Sequence, residues 1–398
     1  MSTLIRTETL RDAGHALSVQ RITDVIGFHA LRSEWTELLE ASPSDCIFLT
    51  WEWLSTWWKH IGAGRRLDLL AVRKDDELIG LAPLMLSPMR PGRSMPCRVR
   101  QFLGSGSVGS DYLDVIVKAG FEDEALDALA ARLARDGVMV DLAQLNRRSA
   151  AASSLAERLE RQGWHVSTLP GDVCPFIELA DHTWPSFLGS LDGRHRYNVK
   201  HRLDRLVKQR AMRFLLVDSE DRRREALATL VALHRKRWSE RGGSTALDAT
   251  SLVAFHEEFS RLALERGWLR LFVMYLGSEP VAALYGLRYG GTFYFYQTGF
   301  DPAYGRDGVG QTTVGLTIQH AVLEGCTEYD MLHGDEPYKF DWAGKVRELE
   351  RLQLYPSSAR GWVCRQMVGL DRAARKAARR LLGTSTADWI TRRTHDAV

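Results

Sequence analysis

Between Thr292 and Trp342 the residues follow a strand pattern to Phe300 and then turn through Gly305-Arg306-Asp307-Gly308-Val309-Gly310. They take helical spacing from Thr312 to Leu323 and return to strand from Glu328 to Leu332. A strand that ends in a glycine turn at a helix start closes as a strand–helix–strand unit. Such a start leaves several backbone N–H groups unpaired and aimed at one point. Phosphate is the natural ligand of that geometry, so Gly305, Arg306, Gly308, Val309, Gly310 and Gln311 are the candidate cofactor-binding residues. Farther along, His333-Gly334-Asp335-Glu336-Pro337-Tyr338-Lys339-Phe340-Asp341-Trp342 gathers groups that can move protons.

The same order of elements occurs earlier in the chain. Gly80-Leu-Ala-Pro-Leu and Val281-Ala-Ala-Leu-Tyr occupy matching places in the two passes. With 398 residues and 45% apolar content there is enough material for two cores. The expected architecture is α/β, a mixed sheet with flanking helices in two tandem units. Residues 1–16 form a loose tail, 17–175 a first unit, 176–356 a second and 357–398 a basic helical tail. The boundary is expected between Trp164 and Asp181, where Thr168-Leu-Pro-Gly-Asp172 supplies turn chemistry. The first glycine-rich segment, Gly104 to Gly109, runs into a strand, whereas the second opens a helix. The second unit is therefore expected to carry the site, with the first as scaffold and part of the acceptor cleft.

Several classes fall away. Lys and Arg number 53 against 50 Asp and Glu, too even a balance to announce DNA. Five scattered cysteines without a C-x-x-C argue against a disulfide framework or structural zinc. The first twenty residues hold no apolar core of a leader peptide, and the chain is expected to be soluble and cytoplasmic. No H-E-x-x-H, phosphate-loop lysine motif or Gly-x-Ser-x-Gly elbow is present, which leaves direct transfer without a catalytic metal or an acyl-serine.

Four segments carry a resemblance. Phe48-Leu-Thr-Trp-Glu-Trp-Leu-Ser-Thr-Trp-Trp58, the basic stretch His195 to Arg210, Tyr296-Gln-Thr-Gly-Phe-Asp-Pro302, and Asp330-Met-Leu-His-Gly-Asp-Glu-Pro-Tyr-Lys339 followed by Trp342 resemble the CelD/BcsL-type acetyltransferases. That family lies within the GNAT superfamily and is related to the tandem-GNAT Fem aminoacyltransferases. The resemblance spans residues 17–356, and its most specific part is Gly334, Asp335, Tyr338, Lys339 and Trp342. Where the family usually has Ser-Pro-Gly at the helix start, this chain has Gly308-Val309-Gly310. The resemblance implies two GNAT-like units, acetyl-CoA or another acyl-CoA as co-substrate, and a saccharide acceptor in cellulose or exopolysaccharide formation. A Fem-like aminoacyl-tRNA donor and a non-catalytic regulatory module are the alternatives.

Acyl transfer from a thioester needs a base, an oxyanion donor and an acid for the departing thiolate. Tyr338 is the candidate acid. Asp335, favoured by the motif, would need burial to raise its pKa, and His333 is the rival base. A backbone N–H on the strand Phe293 to Phe300 is the candidate oxyanion donor. Gln297, Lys339, Trp342 and Arg202 are candidate substrate contacts. Trp51, Trp53, Trp57 and Trp58 divide between core packing and ring stacking. The basic amphipathic stretch Arg365 to Arg380 either caps the second unit or touches a membrane surface.

Overall fold

The computed structural model describes residues 6–12, 15–89, 97–106, 108–148, 150–239 and 249–382. The strands in chain order are β1 (Arg6–Asp12), β2 (His15–Ile22), β3 (Arg66–Leu67), β4 (Leu69–Lys74), β5 (Glu77–Ala82), β6 (Leu84–Met89), β7 (Cys97–Phe102) and β8 (Ile116–Val117). They continue with β9 (Met139–Asn146), β10 (His165–Glu178), β11 (Met212–Leu216), β12 (Leu269–Leu276), β13 (Glu279–Tyr289), β14 (Thr292–Phe300), β15 (Glu328–Asp330) and β16 (Lys345–Tyr355). One sheet has the order β1-β2-β4-β5-β8, and a second, of 11 strands, runs β11-β12-β13-β14-β15-β10-β16-β9-β7-β6-β3.

The expected repeat is visible in the topology. In the first unit the helices Arg32–Glu40 and Trp51–Ile61 precede the β4–β5 hairpin, and the helix Glu122–Asp136 lies between β7 and β9. In the second, the helices Glu220–Ser239 and Thr250–Glu265 precede the β12–β13 hairpin, and the helix Val309–Leu323 joins β14 to β15. In both units the flanking strands pair in parallel, β7 on β9 and β14 on β15. A parallel pair requires such a crossover.

The stretch in which the boundary is expected, residues 164–181, is mostly strand, since β10 occupies His165–Glu178. Thr168 to Asp172 is not a chain reversal but part of β10, with the ladder to β16 bulging between Pro170 and Val173. Gly171 is required there, since a Cβ would come within 2.9 Å of the Leu349 carbonyl. β16, from the end of the second unit, inserts between β10 and β9 and makes the large sheet continuous across both units. At the other end, Arg6–Asp12 pairs with β2 instead of forming part of a loose tail.

Most of the aromatic cluster is core. Thr50 caps the helix Trp51–Ile61 by accepting from the Trp53 N–H. Trp53 and Trp57 are fully buried. Trp53 lies across the two units, with the rings of Phe255, Phe259 and Tyr296 at 4.9, 4.6 and 5.6 Å. Its Nε1 donates to Ser110 Oγ (2.9 Å), which in turn donates to the Gly104 carbonyl. This tryptophan therefore fixes the first unit's glycine loop against the second unit. Trp53→Ala should cost about 3–5 kcal/mol in urea unfolding, since it leaves a ring-sized void that neighbouring rings fill poorly.

Candidate active site

β14 and β15 pair only from Thr292↔Glu328 to Tyr294↔Asp330. Beyond that point β14 continues to Phe300 against β13 alone. Residues 331–334 turn instead to β10, with Met331 N–H donating to Pro175 O (3.0 Å) and Gly334 N–H to Val173 O (2.9 Å). The two strands splay, and among the described residues no strand pairs with β14 from Phe295 to Phe300 on the side away from β13. A bulge at Tyr296 changes the twist of this edge. Gln297, expected to orient substrate, spends its Oε1 on the Thr298 N–H (3.0 Å) and keeps only its amide nitrogen for a ligand.

The splayed strands lead to the glycine turn. Pro302–Asp307 forms a 3-10 turn that exposes Gly305 and Arg306, and Gly308 (φ 74°) takes the left-handed conformation as N-cap of the helix Val309–Leu323. The helix begins three residues before the expected Thr312, so Val309, Gly310 and Gln311 form its first turn. No side chain caps it and no acidic residue lies in that turn. The matching helix of the first unit carries Glu122, Asp123 and Glu124 in its first turn. Those three carboxylates repel a diphosphate, so only the second copy offers a positive helix end.

The basic helix Gly193–Arg210 deepens this field. Arg202, expected at the acceptor, lies over Gly308, where a Cβ would meet its Cδ at 2.7 Å. Arg205 donates to the Arg306 carbonyl (3.2 Å), and Arg205 and Arg210 pair with Asp307 at 3.4 and 3.2 Å. The single acid of the turn is thus matched twice. Gln311 differs from expectation in its side chain, whose Oε1 accepts from Trp342 Nε1 (2.8 Å).

The polar loop after β15 is organised by buried contacts. Asp330 accepts the Leu332 N–H (2.8 Å) and holds Leu332 at φ 55°, a left-handed step that costs a non-glycine residue about 1 kcal/mol or more. That step aims His333 at Asp111 of the first unit. His333 N–H donates to Asp111 Oδ2 (2.9 Å), and Nδ1 lies 2.9 Å from both carboxylate oxygens. Asp111 is completely buried and also accepts from Gln144 Nε2 (3.0 Å). Because the carboxylate holds Nδ1–H, Nε2 is the basic nitrogen, on a side chain that is 39% exposed. The Asp111 hydrogen bond, acting against burial, raises the His333 pKa above 6.5. Gly109 (φ 70°) passes so close that a Cβ would sit 3.2 Å from His333 Cε1, and the Tyr296 hydroxyl donates to the Val108 carbonyl. The first unit's glycine loop, Tyr296 and His333 therefore pack together.

Two motif residues have other work than expected, and a third lies differently. Asp335 is exposed and lacks the burial that a base role required of it. Lys339 is 3% exposed, and its Nζ donates to the carbonyls of His333 (2.7 Å) and Leu332 (3.2 Å) and pairs with Glu336 (3.0 Å). It ties down the loop and is not free for phosphate. Trp342, 3% exposed, is a wedge against Gly315 and His195, the two rings 4.5 Å apart. Tyr338 is half-buried, and loss of solvent pushes its hydroxyl pKa well above 10. That hydroxyl bonds the Arg237 guanidinium, which stacks over Phe300 at 5.0 Å, the ring that packs against Gly310. The structure thus ties Tyr338 to the glycine turn through Arg237 and Phe300, and His333 to the first unit through Asp111.

Asp330 itself is 1% exposed, bonded by the Tyr112 hydroxyl (2.7 Å) and Arg347 (3.1 Å), and burial lifts its carboxyl to about 7. A carboxyl raised from 3.8 supports the folded state below that value and loses this support as pH climbs through 7. Asp330→Asn keeps an acceptor for Tyr112 and Leu332 but cannot ionise. Its Tm relative to the native chain should therefore climb as pH goes from about 4 to about 8.

Residues 193–340 match the family model described as Acetyltransferase (GNAT) domain. No curated protein matches the chain in sequence. Among solved structures, the crystal structure of FemX aligns with a TM-score of 0.59 at 14% identity, covering 80% of this chain and 95% of that one. A conserved protein of unknown function from Bacteroides thetaiotaomicron gives 0.54 at 12% identity, over 84% and 99% of the two chains. Both likenesses are of fold, and function rests on the site. The splayed β14 and β15, the open helix start and the loop bearing His333 all fall within the segment that is similar to a GNAT acetyltransferase domain.

Proposed function

We propose that the protein transfers an acyl group, acetyl by default, from coenzyme A directly to an amine or hydroxyl of a sugar, amino sugar or related acceptor in exopolysaccharide or cellulose formation. The observations that carry this reading are the Asp111–His333 pair, with the Nε2 side of a part-exposed imidazole left over, and an uncapped, acid-free helix start at the end of the splayed β14. The N–H groups of Val309, Gly310 and Gln311, with Arg202 beside them, suit a diphosphate. The bound co-substrate supplies an activated thioester. N–H groups on the free edge of β14 polarise its carbonyl. His333 Nε2 takes the acceptor's proton, and Asp111 stabilises the imidazolium that results. Tyr338 holds its proton at neutral pH, accepts from Arg237 and donates to the departing thiolate.

A second reading keeps this machinery and exchanges the donor for an aminoacyl-tRNA. It is favoured by Arg194 and Lys200, which stay exposed on the basic helix after Arg202 and Arg205 have found their places. Isothermal titration with coenzyme A and acetyl-CoA separates the two. Micromolar binding that changes little with salt supports the coenzyme. Absence of that binding, together with tRNA affinity that falls steeply as salt rises, overturns it in favour of the second.

A further inference from the structure

The helix Ala359–Leu382 uses only one side to hold on to the body of the protein. Cys364 and Val368 pack with Val99, Met139 and Tyr355, and Arg372 donates to Gln353 Oε1 (2.6 Å) on β16. At about 3.6 residues per turn, positions 362, 366, 370, 373 and 377 form the opposite stripe. That stripe faces solvent. Trp362 is 62% exposed and Leu370 70%, and Gln366, Ala373 and Ala377 are exposed between and beyond them. Arg365 and Lys376 stand exposed along one flank of the stripe. Across residues 359–382 there are seven lysines and arginines and one acidic residue, Asp371.

We propose that this outward face docks on an anionic phospholipid surface, lying in the interface plane with Trp362 and Leu370 seated at the headgroup boundary and the flanking cations among the phosphates. The arrangement of the two chemistries decides the partner. A nucleic-acid surface would call for cations along the centre of the face, where the phosphates lie. Here the centre of the face is uncharged, with Trp362, Leu370 and two alanines beside Gln366, and the cations run along its flank, the pattern of an amphipathic helix at a membrane interface. An exposed tryptophan suits that depth, since its ring is apolar and its N–H is polar. No helix among the described residues is long and apolar enough to cross a membrane, so the contact is peripheral. The inference stands apart from the acyl-transfer reading, because none of its residues borders the splayed strands.

Co-sedimentation of the full chain with vesicles tests it. Vesicles of phosphatidylglycerol and phosphatidylcholine should carry the protein down, and pure phosphatidylcholine vesicles should not. Trp362→Ser with Leu370→Ser should weaken the association by about tenfold or more, and Arg365→Glu with Lys376→Glu should do the same. All four side chains are exposed, so a thermal melt close to that of the native chain is expected for both variants. The proposal is overturned by equal binding to the two vesicle types, by variants that bind as the native chain does, or by a single-stranded RNA oligonucleotide being bound in place of vesicles. A dimer seen by light scattering that Trp362→Ser with Leu370→Ser dissolves, with no vesicle binding, also overturns it.

Discussion

His333→Gln lowers kcat by about 10²- to 10³-fold and leaves coenzyme A affinity within about twofold. The size follows from the proposed role, in which His333 accepts a proton in the transition state and the coenzyme's phosphates are held elsewhere, at the helix start. Asp111→Asn should also reduce kcat, because the amide no longer fixes Nδ1–H or stabilises the imidazolium. A pH profile distinguishes this from general damage. A protonated base cannot accept, so kcat/KM rises as pH passes through the His333 pKa, which Asp111 holds above 6.5. Without the carboxylate that rise moves to lower pH. A limb that stays in place in Asp111→Asn would sink the assignment, as would an Asp335→Asn variant losing as much activity as His333→Gln. The same raised pKa makes the pair a stabilising contact below pH 6.5 that fades as pH climbs through the folded value.

Gly310→Asp abolishes coenzyme A binding at micromolar concentrations, weakening it by about 100-fold or more, close to 3 kcal/mol. A Cβ at this position lies 3.1 Å from the Phe300 ring, so the new side chain has little room to withdraw. Its carboxylate then stands in the first turn of a helix that has none, where a phosphate would otherwise meet free N–H groups. An acid at a helix start favours the helix itself by about 0.3–1 kcal/mol, so the melting temperature should change little. Binding is lost while the fold remains. Gly310→Ala, which adds the Cβ without the charge, should bind within about tenfold of the native chain. Coenzyme affinity undiminished in Gly310→Asp would remove the helix start from the site.

The periodic elements of this chain could be read in its sequence because they depend on near neighbours. The β12–β13 hairpin, β14 at Thr292–Phe300, the cap at Thr50 and the strand–turn–helix around Gly308 all lie close to where residue spacing puts them. The helix start was displaced by three residues because Gly308, in its left-handed conformation, is itself the cap and Gly310 lies inside the first turn. The proton-transfer side was much less legible. Asp335 and His333 are two residues apart and both titratable, and what separates them is burial and a partner. That partner, Asp111, is 222 residues away. The signal available for it was weak: an acid just past Ser110, which follows the first glycine-rich segment, in a unit expected to supply part of the acceptor cleft. Lys339 and Trp342 illustrate the opposite limit. Their residue types suit ligand contact, yet one is spent on main-chain carbonyls and the other on a glycine face. The exchange of β16 into the seam beside β9 joins segments that no local pattern connects.

That exchange has a consequence for how the molecule comes into being. While the chain is emerging from a ribosome, everything through β15 can be synthesised and still leave β9 and β10 each with a bare edge, since the strand that fills the gap spans Lys345–Tyr355. A gene cut between residues 175 and 176 would divide β10 itself, so neither fragment would mature alone. The enzyme becomes whole only when its last strand closes the seam.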